Sequence, residues 1–220
     1  KYMAERGYAV AVDDHLGHGR SVSKGGAYGY FGEGGCQNLV EDMHKLTRLM
    51  KQDYPDLPYF LMGHSMGSFL TRSYASQYGK ELSGVVLLGT GTGPTPLVMK
   101  AELRFANNVV VRKGPMARDP LFVKHSTGKF NKAFAPNRTE NDWLSRDENE
   151  VDRYTNDPLC GFPLTVSGYR DILVLQEKID KIECYREIPE IPVFVASGDR
   201  DPVGDFGKGV RKVIDNLEKT

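Results

Sequence analysis

The stretch Tyr59–Leu70, "YFLMGHSMGSFL", is a short apolar run that stops abruptly in a serine held between two glycines. Its middle, Gly63-His64-Ser65-Met66-Gly67, fits the G-x-S-x-G pattern of a nucleophile elbow. A strand that turns so sharply into a helix forces its corner serine into a strained backbone conformation. Bulky side chains on either side would collide there, which accounts for the two glycines. The helix that starts at the corner points its free N–H groups at the serine, and the Met66 N–H is placed to bind an oxyanion. The bare pattern is a weak signal in a chain with 24 glycines; a strand before it and a helix after it give it weight.

Outward from this corner, three more apolar runs read as buried strands: Tyr8–Asp14 ("YAVAVDD"), Gly84–Thr90 and Ile191–Gly198. Between the first of these and the corner, Leu39, Met43, Leu46 and Met50 fall on one helical face. Met66–Tyr78 reads as a second helix that Gly79 stops, and Val210, Val213, Ile214 and Leu217 mark a last one. Strands alternating with helices predict an α/β fold with a mostly parallel sheet. Residues 1–90 are then the first part of the core and 189–220 the second. Residues 91–188 break the rhythm with turn-rich sequence and helices that have no strand between them, as expected of an inserted, mainly helical cap. Within it, Ser167 is a candidate N-cap for a helix buried through Ile172, Leu175, Ile179 and Ile182.

Composition narrows the function classes. Lys+Arg and Asp+Glu are equal at 29 each, without a basic stripe, so a nucleic-acid partner is not expected. Cys36, Cys160 and Cys184 are odd in number and lack CxxC or Cys/His spacing, which argues against disulfides and zinc and for a reducing, cytoplasmic setting. No apolar run approaches the ~18 residues of a membrane span. The chain opens on Lys1 in "KYMAERGYAV", without an initiator methionine and inside a helix that Gly7 ends, as a cut edge would.

Two further constellations carry polar chemistry. Asp13–Ser21, "DDHLGHGRS", holds His15 and His18 near Asp13 and Asp14; Gly17 and Gly19 favour a closely packed structural loop over a metal site. Ser197–Gly204, "SGDRDPVG", follows the last strand, at the sheet edge where ligands bind. A carboxylate there can orient an imidazole. Asp201 is the choice, because Pro202 biases it toward extended geometry, with Asp199 as runner-up.

"DHLGHGRS", "GHSMGS" and "SGDRDPVG", in that order, resemble the monoacylglycerol lipase and lysophospholipase branch of the α/β-hydrolases, also labelled serine aminopeptidase-like; "DPLCGFP" (Asp157–Pro163) resembles its cap. The resemblance runs from Gly7 to Gly204. It implies a catalytic Ser65 and Asp201, an oxyanion hole including Met66, and a histidine after the aspartate. Yet His15, His18, His44, His64 and His125 all precede Asp201. His64 is poorly aimed as a base, since successive strand residues point to opposite sides. His44 reads as a surface residue of the first long helix, and His125 sits in the cap. The resemblance also implies a strand and a His-Gly loop ahead of Lys1. A fragment of an active hydrolase, lacking N-terminal strands and the C-terminal histidine segment, is therefore expected, inactive alone and with a gap in its sheet beside the Tyr8–Asp14 strand.

For the intact protein the expected activity is hydrolysis of carboxylic esters through an acyl-enzyme, without metal or organic cofactor. Monoacylglycerols or lysophospholipids head the substrates, and transient membrane or micelle contact is assigned to the cap. Apolar stretches at Leu103–Val111 and Pro120–Val123 are candidates for a lid over an acyl pocket, or for the cap's own core. A serine aminopeptidase is the alternative, with Glu140, Asp142, Asp147, Glu148 and Glu150 to hold an amino group; a non-catalytic binding protein is the other. Haloalkane dehalogenases and epoxide hydrolases are disfavoured, because those relatives carry aspartate where Ser65 stands.

Overall fold

The computed structural model describes residues 1–22, 24–125 and 128–220. Three strands, β1 (Phe60–His64), β2 (Gly84–Leu88) and β3 (Val193–Ala196), form a parallel sheet in the order β1-β2-β3. Each comes from a short apolar run, with Val in β2 and β3 and Phe, Leu and Met in β1, and each is followed in the chain by a turn at the sheet's carboxyl edge. Helix α1 (Cys36–Asp53) precedes β1, and α2 (Met66–Tyr78) connects β1 to β2. Then come α3 (Pro96–Lys113), α4 (Pro120–His125), α5 (Glu148–Asn156), α6 (Val166–Ile179) and α7 (Ile182–Arg186), and α8 (Lys208–Glu218) follows β3.

The main core lies where α1, α2 and α6 cover one face of the sheet: Leu39, Val40 and Leu70 are fully buried, joined by Tyr74, Val85, Leu175 and Ile179. The last helices of the expected cap thus contribute to the principal core. Leu87, Tyr185 and Val213 close the same face toward α8. On the opposite face, Met62 pairs with Val86 and Val86 with Phe194. Met62 and Phe194 there are 65% and 60% exposed.

Four expectations are corrected. Residues 8–14 form no strand: Val10 and Val12 are exposed, and β1 pairs only with β2 among the described residues. An apolar run becomes a strand only when a neighbour takes its N–H and C=O groups. Gly79 does not stop α2 by a left-handed turn. Its φ is −58° and the chain runs on into a 3₁₀ turn, while a Cβ there would lie 2.5 Å from Pro189 Cδ, so close approach is what excludes a side chain. The cap of α6 is Thr165, whose hydroxyl accepts the Gly168 N–H at 3.1 Å. Ser167 is inside that helix, buried and donating to the Pro115 carbonyl at 2.6 Å. His44 is half-buried rather than free on the surface: Nε2 is 3.0 Å from Glu81 Oε1 and its ring stacks on Tyr78 at 3.8 Å. Gly7, by contrast, ends an opening 3₁₀ turn with the expected left-handed backbone, φ 86°.

Candidate active site

Ser65 stands where β1 ends and α2 begins, with φ 52° and ψ −120°, a conformation that non-glycine residues rarely adopt. Two surroundings hold it. Its N–H is bonded to the Leu88 carbonyl at 2.9 Å, which pins the corner to the end of β2. Its carbonyl accepts the Ser68 hydroxyl and N–H, at 2.6 and 2.8 Å, in the first turn of the helix. A Cβ on Gly63 would overlap the Gly67 carbonyl and the Thr71 hydroxyl, so β1 and α2 meet at this corner only through a glycine. Gly67 differs from the sequence expectation, because a Cβ there would meet nothing within 4 Å. The Met66 and Gly67 N–H groups open α2, where no intrahelical acceptor exists. They have no backbone acceptor elsewhere among the described residues.

Asp201 is half-buried beyond β3. Its Oδ1 accepts the Val203 N–H at 2.9 Å and its Oδ2 accepts the Ser197 hydroxyl at 3.0 Å. Asp199 is exposed on the same loop. The Gly89 N–H is bonded to the Ala196 carbonyl at 2.9 Å, so Ser65, Gly89 and Ser197 leave three adjacent strands side by side. The Ser65 corner and the Asp201 loop therefore share the carboxyl edge of the sheet. His64 Nε2 also faces this edge, 3.2 Å from the position of a Cβ on Gly89, and Asp201 Oδ2 is equally close to it.

The other imidazoles described are engaged elsewhere. His44 is engaged with Glu81 as above. His15 Nδ1 lies 4.0 Å from Asp13 Oδ2. His18 packs between Phe31 and Phe162, with ring centroids at 5.9 and 5.4 Å; burial, more than any charge, holds its pKa below the usual value. The side chain of His125 lies outside the described residues.

The loop carrying His18 is built as the glycine pattern predicts. A Cβ on Gly17 would meet the Tyr30 carbonyl at 2.5 Å, and one on Gly19 would overlap the Asp14 carboxylate, which accepts the Arg20 N–H at 3.0 Å. Phe162, in the "DPLCGFP" segment, also packs on Tyr28 at 4.9 Å, so this loop fastens that segment.

Sequence reading passed over Arg72, which is 1% exposed on α2. Its guanidinium donates to the Gly91 carbonyl at 2.9 Å, the Ile179 carbonyl at 2.8 Å, Asp180 Oδ1 at 2.9 Å and the Tyr185 hydroxyl. Asp180 Oδ2 in turn accepts the Gly93 N–H at 2.7 Å. Helix α2 is thus tied to the end of α6 and to the chain leaving β2. The signal was present: Arg72 is three residues from both Phe69 and Ala75, on the buried face of the helix.

The acidic residues that the aminopeptidase alternative needs are mostly engaged. Asp142 accepts from the Arg138 and Thr139 N–H groups and from the Thr139 hydroxyl. Asp147 caps α5 through the Asn149 N–H. Glu148 lies 3.9 Å from Arg138, and Glu150 pairs with Arg153.

Residues 1–220, the whole chain, match the family described as serine aminopeptidase, S33. The chain belongs to that family. Among curated relatives, it is 32% identical over 154 residues to the monoglyceride lipase of Mus musculus, covering 68% of this chain and 42% of the mouse protein. It is 28% identical over 216 residues to the monoacylglycerol lipase of Mycolicibacterium smegmatis, covering 96% of this chain and 66% of that one. The chain therefore spans about two fifths to two thirds of the length of these relatives. Among solved structures, a highly thermostable carboxyl esterase from Bacillus coagulans superimposes with a TM-score of 0.85 at 34% identity, over 94% of this chain and 67% of that one. The fold of this S33 chain is that of the α/β-hydrolases.

Proposed function

We propose that the intact protein is a serine hydrolase of carboxylic esters, with monoacylglycerols as its principal substrates. The observation that carries this reading is the strained Ser65 corner, with unpartnered N–H groups at the head of α2 and Asp201 on the neighbouring strand exit. Ser65 Oγ attacks the ester carbonyl and gives its proton to an imidazole seated on Asp201. The Met66 N–H holds the tetrahedral oxyanion, and the alcohol leaves with that proton. Water then attacks the acyl-enzyme, with the same imidazole as base, and releases the fatty acid. The chemistry of this step asks for no metal or organic cofactor.

The substrate class rests on the lipase relatives and on the surface of α3. Leu97 and Val111 there are 80% and 85% exposed, beside an exposed Phe105. Arg104 and Arg112 share that helical face. An apolar stripe with basic residues beside it suits an anionic lipid interface, where the segment 91–188 would act as a cap that meets substrate in a membrane or micelle. The inner side of α3 does another job: Ala106 and Val109 pack with Phe122, Val166 and Tyr169 into a core of their own. No helix among the described residues is long and apolar enough to cross a membrane. Three free cysteines suit a cytoplasmic setting.

The test is a pair of assays on the intact protein, with a nitrophenyl ester and an amino-acyl anilide, together with fluorophosphonate labelling. Ester hydrolysis is expected, with labelling at Ser65 and a loss of about 10⁶ in kcat for Ser65→Ala. Preference for the anilide, or an intact protein that neither labels nor turns over, would overturn the assignment.

A further inference from the structure

Ser197 is the first residue beyond β3, and its side chain is half-buried. The hydroxyl donates to Asp201 Oδ2 at 3.0 Å. The other acceptor in reach, the Gly198 carbonyl, is 3.5 Å away, too long to compete. Between the two residues the chain makes a tight turn, closed by the Asp201 N–H on the Gly198 carbonyl at 3.1 Å.

The two oxygens of Asp201 face different surroundings. Oδ1 turns back into its own loop, where it accepts the Val203 N–H at 2.9 Å. Oδ2 faces the side of Ser65: it is 3.2 Å from the position of a Cβ on Gly89, and His64 Nε2, one residue before Ser65, is equally close to that point. Because β2 lies between β1 and β3, an imidazole set between Ser65 and Asp201 spans the exit of β2 and meets Oδ2 rather than Oδ1. Ser197 therefore bonds the oxygen that the reaction uses. A carboxylate oxygen has two acceptor positions; the hydroxyl takes one and leaves one for an imidazole N–H.

A carboxyl group turns easily about its last bond, since that torsion has broad wells. With the Val203 N–H as its sole anchor, one oxygen would be pinned and the other would swing. The Ser197 hydroxyl is a second anchor, from the opposite side of the turn, and sets the plane of the group. The fold of the loop does not depend on it. The Phe206 N–H on the Asp201 carbonyl at 3.0 Å and the Gly209 N–H on the Gly204 carbonyl at 2.9 Å hold the loop through the backbone.

We propose that Ser197 is a positioning residue for ester hydrolysis at Ser65: its hydroxyl fixes Asp201 Oδ2 in the orientation that receives the imidazole. This rests on the reading of Asp201 as the carboxylate that seats that imidazole, and it adds a side chain that acts only through Asp201.

Steady-state kinetics of the intact protein on nitrophenyl butyrate, in a double-mutant cycle, test the assignment. Ser197→Ala is expected to lower kcat by about 10²-fold with KM nearly unchanged, and Ser197→Thr, which keeps the hydroxyl, to retain most of the activity. Asp201→Ala is expected to cost about 10⁴-fold. In that background Ser197→Ala should cost nothing further, because its effect passes through the missing carboxylate. A role in stability would instead lower the melting temperature of Ser197→Ala and leave its kcat in place. Wild-type kcat in Ser197→Ala, an equal loss in Ser197→Thr, or the same fold loss repeated in the Asp201→Ala background would each overturn the proposal and leave the hydrolase reading standing. Wild-type kcat in Asp201→Ala would remove the reading beneath it as well.

Discussion

Asp201 Oδ2 and His64 Nε2 converge on Gly89, each 3.2 Å from the point where a methyl group on that glycine would stand. The glycine has φ 55° and is fixed to β3 through its N–H, so the exit of β2 is a spacer between the carboxylate and the residue before Ser65.

Gly89→Ala would insert a methyl at that point and impose a left-handed alanine, which costs about 1–2 kcal/mol. Either the His64 ring or the Asp201 carboxylate, which Ser197 and Val203 hold, must give way; where the carboxylate moves, a shift of about 1 Å in a positioning group lowers turnover by about 10²-fold. Steady-state kinetics of the intact protein on an ester should show the loss in kcat with KM little changed. Equal kcat in a variant whose structure has the Asp201 carboxylate displaced would show that Asp201 does not orient the base.

The two glycines of the corner should behave oppositely. Gly63→Ala drives a methyl into the Gly67 carbonyl and the Thr71 hydroxyl, and overpacking of that kind costs about 1–3 kcal/mol or more. Gly67→Ala enters open space on a helix, where alanine is favoured over glycine by about 1 kcal/mol. Urea denaturation should rank the proteins Gly67→Ala, wild type, Gly63→Ala in falling stability.

Arg72→Ala removes a buried cation from four acceptors and leaves the Asp180 carboxylate, 19% exposed, without it. Breaking such a pair from one side costs about 3–5 kcal/mol. A large fall in the urea midpoint is expected. The double variant Arg72→Met with Asp180→Asn should recover part of it, because no unpaired charge remains; no recovery would mean that packing, not charge, sets the cost.

His18 gives a stability that depends on pH. Burial between aromatic rings favours the neutral imidazole, so its folded pKa lies below the ordinary 6.5. The unfolded chain then binds more protons than the folded one as pH falls below 6.5. The contribution is complete above that value and is lost through the window down to the lowered pKa. His18→Phe keeps a ring in the same place and removes the titration. Thermal unfolding at pH 7.5 and 5.5 should show a smaller drop for His18→Phe than for wild type, and parallel drops would exclude His18 as a source.

Local chemistry marked the apolar runs ending at His64, Thr90 and Gly198 as strand candidates, the helix from Met66 to Tyr78, and a serine at a strained corner. Short apolar runs, helical spacing and glycine at a sharp turn act over a few residues, so they can be read along the chain. The tertiary structure decided which groups meet across distance. Asp201 rather than Asp199 is held by Ser197 and Val203 at the sheet edge. Gly79 is small because of Pro189, 110 residues on. Arg72 is buried because α6, α7 and the β2 exit supply its acceptors. Tyr8–Asp14 has the composition of a strand and is not one, since strand formation depends on hydrogen bonds to another segment, which composition cannot supply.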